Sequence, residues 1–85
     1  MIIYSQGWLT MKKGMLKFHE QKNKYYIDLF YYDGVIELNA EDKIMYSPDL
    51  RRYKTAILKY DGDEWYLLDK KNNKIKIWNH MLVKK

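Results

Sequence analysis

Asn72-Asn73-Lys74-Ile75-Lys76-Ile77-Trp78-Asn79-His80-Met81-Leu82-Val83-Lys84-Lys85 decides the fold, because it reads in two ways. As a helix, Asn72 or Asn73 caps its start and it runs to about Lys84. Ile75, Trp78 and Leu82 then share one stripe with Met81 beside them, and Lys84 and Lys85 complement the dipole of the last turn. As a hairpin, Asn72-Asn73 makes the turn and Lys74-Ile75-Lys76-Ile77 alternates with period two. Periodicity alone does not choose, since the alternation is short and the isoleucines are β-branched.

Upstream of the tail the chain reads as short strands. Residues 7–13 alternate weakly and stop at Gly14, a first strand, and residues 15–23 read as a loop. Residues 24–32 are the clearest strand: Ile27, Leu29 and Tyr31 face one way, Tyr26, Asp28, Phe30 and Tyr32 the other. Asp33-Gly34 turns the chain into Val35-Ile36-Glu37-Leu38. Lys43–Tyr46 is a short strand, broken at Ser47-Pro48-Asp49 because proline lacks the ladder donor. Tyr53–Tyr60, the turn Asp61-Gly62 and Glu64–Leu68 form a second hairpin. The class is antiparallel β.

With 85 residues the chain is long enough for one domain, 1–85. Three Trp, nine Tyr and two Phe supply the large buried areas that so small a core needs. The absence of cysteine excludes disulfides, thiolate metal sites and Cys nucleophiles. No apolar run serves as a signal peptide or a membrane span, so the expected location is cytoplasmic. The net charge of +5 favours anionic partners, although an AT-rich coding sequence also enriches Lys, Asn, Ile and Tyr. Only the placement of charge therefore bears on function.

Three pieces in order resemble a pleckstrin homology (PH) domain. Gly7-Trp8-Leu9-Thr10-Met11-Lys12-Lys13-Gly14 resembles the family's opening strand. Lys22-Asn23-Lys24-Tyr25-Tyr26-Ile27-Asp28-Leu29 resembles its second strand. Trp65-Tyr66-Leu67-Leu68, with Trp78 ahead of Met81-Leu82, resembles its last strand and Trp-bearing helix. The resemblance implies a bent antiparallel barrel or sandwich capped by one C-terminal helix, with Trp78 buried among Leu9, Leu29 and Leu67. It favours the helical reading of the tail. Gly34–Leu38 matches the family's fourth strand but arrives early, so this is a short version, with residues 39–52 departing most. A strand over 74–83 would indicate instead an all-β barrel of SH3 or OB type.

The resemblance also implies a head-group site. Lys12, Lys22 and Lys24 fall on the family's lipid motif, with Lys in place of its Arg, which loses the bidentate fork. Lys13 and Lys17 would add cations to the same hairpin, each contributing about 1 kcal/mol near an acidic membrane. Met15, Leu16 and Phe18 would form a membrane-inserting tip between them. The implied function is peripheral recruitment to acidic membrane through weak phosphoinositide binding, as a monomer. A protein-interaction module of the same fold is the first alternative. The second is single-stranded nucleic acid, with Tyr25, Tyr26, Phe30, Tyr31 and Tyr32 as stacking candidates, though no RNA-binding signature is present.

Enzyme readings find little to build on. Nothing around Ser5 or Ser47 resembles a nucleophile elbow, and His19 and His80 read as surface residues. Two histidines without cysteine do not make a zinc site. Asp61, Asp63 and Glu64 lack Ca-loop spacing, and no glycine-rich phosphate loop occurs. The expectation is a non-enzyme with no cofactor and no metal.

Overall fold

Strand pairing organises residues 11–85, the part of the chain described by the computed structural model. The strands are β1 (Lys13–His19), β2 (Lys24–Leu29), β3 (Val35–Glu37), β4 (Lys43–Ser47), β5 (Lys54–Tyr60), β6 (Trp65–Asp69), β7 (Lys74–Ile75) and β8 (Leu82–Lys84). They form one antiparallel sheet in the order β3-β2-β1-β8-β4-β5-β6-β7. Two meanders, β1–β3 and β4–β7, are thus joined only through β8, which pairs with β1 on one side and β4 on the other. The mainly-β antiparallel class is correct. The C-terminal helix is not, since the described residues contain none.

Both meanders feed one core. Leu16, Ile27 and Leu38 come from the first, and Ile44, Tyr46, Ala56, Leu58 and Leu67 from the second. Met81 and Val83 come from the tail. Residues so far apart in strand order share a cluster because the sheet curls on itself, as antiparallel sheets with one apolar face do. Tyr25 of β2 meets Trp65 of β6 edge-on at 5.9 Å, and Asn23 Nδ2 donates to the Tyr60 hydroxyl at 3.3 Å.

The tail takes the hairpin reading. Asp69 Oδ1 accepts from the amides of Lys71 and Asn73, and Asn72 adopts φ 65°, committing the two asparagines to a turn rather than a helix cap. Ile75 then pairs with Leu67, and Lys74 with Leu68. His80 has φ 63°, in the left-handed region that no right-handed helix admits. After it Met81 and Val83 are buried while Leu82 turns outward, a period of two. Trp78 is 41% exposed, with its ring set edge-on to Tyr46 at 6.3 Å, and it is not the buried plug of the core. The half-buried indole is Trp65, stacked on Tyr60 at 4.7 Å.

Two boundaries also move. The first strand extends through residues expected as a loop, with Gly14 inside it opposite Leu29 and Val83. A Cβ on Gly14 would collide with the Asp28 carbonyl oxygen and Ile27 Cγ2, so only glycine lets β2 lie this close. The second strand ends at Leu29, and the Phe30 amide makes one last bond to the Lys13 carbonyl. Phe30, Tyr31 and Tyr32 leave the ladder there and are exposed. The break at Pro48 and the Asp61-Gly62 turn fall where expected, with Asp61 Oδ1 accepting from the amides of Asp63 and Glu64. Residues 7–10 of the expected first strand, Leu9 among them, lie outside the described residues.

Met81→Ala should lower the unfolding free energy by about 2–5 kcal/mol in a urea titration, as for other fully buried large side chains. An unchanged midpoint would remove the tail from the core. Acid should also unfold the protein through its turns. The carboxyls of Asp49, Asp61 and Asp69 are held below their ordinary range by backbone amides, and that of Glu37 by hydrogen-bonded Lys22. Lowered folded values mean stability that is complete above about pH 4, the unfolded carboxylate range, and lost as pH falls through the folded values. Circular dichroism melts should therefore be flat from neutral pH to about 5 and drop below 4, with a shallower drop for Asp69→Asn.

Candidate polyanion-binding face

The five hairpin lysines do not converge. Lys17 Nζ is bound to Asp28 at 2.7 Å, which raises the Lys17 pKa, and Lys22 Nζ is bound to Glu37 at 2.6 Å. Lys24 donates to Asn39 at 2.9 Å. Lys12 and Lys13 sit at the far end of β1, about 20 Å away along its length. The sequence hides this, because residues 15–19 are strand and not a tight loop. Two of the lysines, Lys22 and Lys24, do line a cavity of about 270 Å³ with His19, Tyr25, Tyr26, Val35 and Glu37, but Glu37 already occupies Lys22.

The three residues of the expected apolar tip are placed along β1 rather than at the hairpin's end. Leu16 is 2% exposed in the core, Met15 is half-buried in the strand between Asp28 and Leu82, and Phe18, though exposed, lies against Tyr25 at 4.9 Å. The hairpin tip is Glu20-Gln21-Lys22-Asn23, wholly polar.

A different cationic surface is assembled on the outer side of the sheet. Lys13 and Lys84 are direct cross-strand partners, a like-charge pair that is ordinarily destabilising. The ring of Tyr53 offsets this: Lys84 Nζ stands 4.4 Å and Lys13 Nζ 5.8 Å from its centroid. Beyond Lys84 the register continues to Met45 and then Thr55. There a groove of about 540 Å³ opens, lined by Met45, Tyr53, Lys54, Thr55, Asp69, Lys70, Lys71 and Asn73. A second hollow of about 210 Å³ shares Thr55, Asp69 and Lys70 and adds Lys43, Ile57 and Leu68. From β1 to β6 this face crosses four strand spacings, roughly 20 Å.

Its lysines form no salt bridge among the described residues, although Lys54 stands in the field of Asp49 and Asp69. The described residues hold five salt bridges, through Lys17, Lys22, Lys59, Lys74 and Lys85. None uses Lys13, Lys43, Lys54, Lys70, Lys71 or Lys84, nor Arg51 and Arg52 just before Tyr53, and residues 1–10 contain no acid. The one carboxylate in the groove, Asp69, is engaged by its own turn: Oδ1 by two amides, Oδ2 by Asn73 Nδ2. Lys70-Lys71 and Arg51-Arg52 were visible in the sequence as short charge runs. The Lys13–Lys84 pairing was not, because it depends on β8.

Ser47 Oγ is buried without a hydrogen-bond partner, and His80 is exposed in its turn. His19 Nδ1 accepts from the Lys22 amide at 3.3 Å. Among the described residues no three His, Asp or Glu side chains gather to hold a metal, and no helix is long and apolar enough to cross a membrane. Comparison with family models, with curated proteins and with solved structures finds no match to this chain.

Proposed function

We propose that this chain is a non-enzymatic module that binds nucleic acid as a polyanion through the outer face of β1, β8, β4, β5 and β6. The observation that carries the reading is the Lys13–Lys84 pair under Tyr53, continuous with a groove whose lysines form no salt bridge. Cations spread along roughly 20 Å suit the repeated charges of a phosphate backbone better than one compact head group. The hairpin that the PH resemblance assigns to phosphoinositide supports that role poorly, since Lys17 and Lys22 are neutralised by carboxylates. A curl that is all strand among the described residues is also closer in class to the small basic barrels that bind single strands.

An acidic membrane is the second reading, favoured by the loop between β4 and β5. Leu50 is 75% exposed at φ 67° and is followed by Arg51 and Arg52, whose amides both bond to Asp49 Oδ1. A leucine held in the left-handed region and aimed at solvent beside two cations has the composition of a peripheral anchor.

Fluorescence anisotropy with a labelled single-stranded oligonucleotide should show binding that weakens steeply with salt. Lys13→Ala/Lys70→Ala/Lys84→Ala should flatten the log–log salt slope by about 2, since each phosphate that a lysine no longer neutralises removes about 0.7. Lys22→Ala/Lys24→Ala should leave it unchanged. Failure of the parent to bind at low salt rejects the proposal, and pelleting with acidic vesicles that Leu50→Ser abolishes selects the membrane instead.

A further inference from the structure

The β2–β3 connection releases three consecutive aromatic side chains into solvent. Tyr31 is 82% exposed, and Phe30 and Tyr32 are also exposed, with Val35 beyond them. Alternation would have buried Tyr31 in line with Ile27 and Leu29. The ladder instead stops at the bond from the Phe30 amide to the Lys13 carbonyl, and Gly34, at φ 104°, returns the chain to β3. Phe30 meets Tyr31 edge-on at 6.3 Å, so the two rings present separate faces rather than covering each other.

This loop adjoins the cationic face. Phe30 stands one register step beyond the Gly14–Leu29 pair, opposite Lys13, and Lys13 is opposite Lys84. Lys12 Nζ lies 4.8 Å from the centroid of the Tyr32 ring. A flat apolar ring flanked by ammonium groups is complementary to one nucleotide: a base to stack, and phosphates on either side to neutralise. In a duplex the base faces are already stacked on one another and cannot reach such rings.

We infer that the Phe30–Tyr32 loop is a base-stacking platform that makes the cationic face selective for single-stranded over double-stranded nucleic acid. This rests on the nucleic-acid reading of that face and adds the strand state of the ligand. The lysines then supply salt-sensitive affinity for either form, and the rings supply the difference between them. Asp33, the one acid in the loop, limits how many phosphates can crowd its tip.

The test measures anisotropy of a labelled oligothymidylate and of the matching dA·dT duplex, with acidic phosphatidylserine vesicles as a third arm. The parent should bind the single strand at least roughly tenfold more tightly than the duplex. Phe30→Ala/Tyr31→Ala should lose roughly tenfold or more on the single strand, with duplex affinity and salt slope unchanged. Tyr31→Ser alone, at the most exposed ring, keeps the test valid if the double variant does not fold. Equal affinity of the parent for both forms, or full single-strand binding by the variants, overturns the inference while leaving the polyanion reading intact. Binding of neither form by the parent removes both. Loss of vesicle pelleting with oligonucleotide binding retained overturns the inference and assigns the rings to a membrane.

Discussion

The sheet depends on β8. Without its three residues, β1–β3 and β4–β7 are separate meanders with no ladder between them. Both meanders contribute to one core, and Met81 and Val83 of the tail are fully buried within it. The Leu16 amide bonds to the Met81 carbonyl, and Lys12 and Lys85 exchange amide bonds, so Met81–Lys85 is tied to the start of β1. This pairing joins opposite ends of the described chain, and closing so long a loop makes folding slow relative to the local hairpins.

The same strand creates the functional face. Lys84 reaches Lys13 only because β8 is inserted beside β1, and it reaches Met45 and the groove only because β8 also borders β4. Placement and not total charge separates this surface from the rest. At the hairpin Lys17 and Lys22 are matched by Asp28 and Glu37, whereas the carboxylate in the outer groove, Asp69, is bonded to its own turn. Tyr53 lets two ammonium groups share one site without an acid between them.

Local chemistry was legible wherever it was sufficient by itself. Asp61-Gly62 announced its turn, Pro48 its break, and Ile27 its core position, because each rests on a backbone dihedral, a missing donor or a period of two. The tail was ambiguous for a physical reason. Ile75, Trp78 and Leu82 satisfy a helical stripe as well as Lys74–Ile77 satisfy alternation, and the resemblance to PH domains tipped the reading toward the helix. Asp69 decided otherwise, by accepting the amides of Lys71 and Asn73 and so closing a turn where a helix would have started. The candidate site was less legible still. Lys12–Lys24 look adjacent in sequence, but a seven-residue strand holds their ends apart, and the pairing that matters joins residues no local window contains.

The curled sheet remains open, with β3 at one border and β7 at the other. Those borders offer a neighbouring molecule at most three residues and two residues of unpaired ladder. Each is further guarded by charge, Glu37 holding Lys22 on one side and Lys74 reaching Glu64 on the other. A fold exposing so many aromatic rings thereby withholds the long, flat template on which strands of separate molecules polymerise.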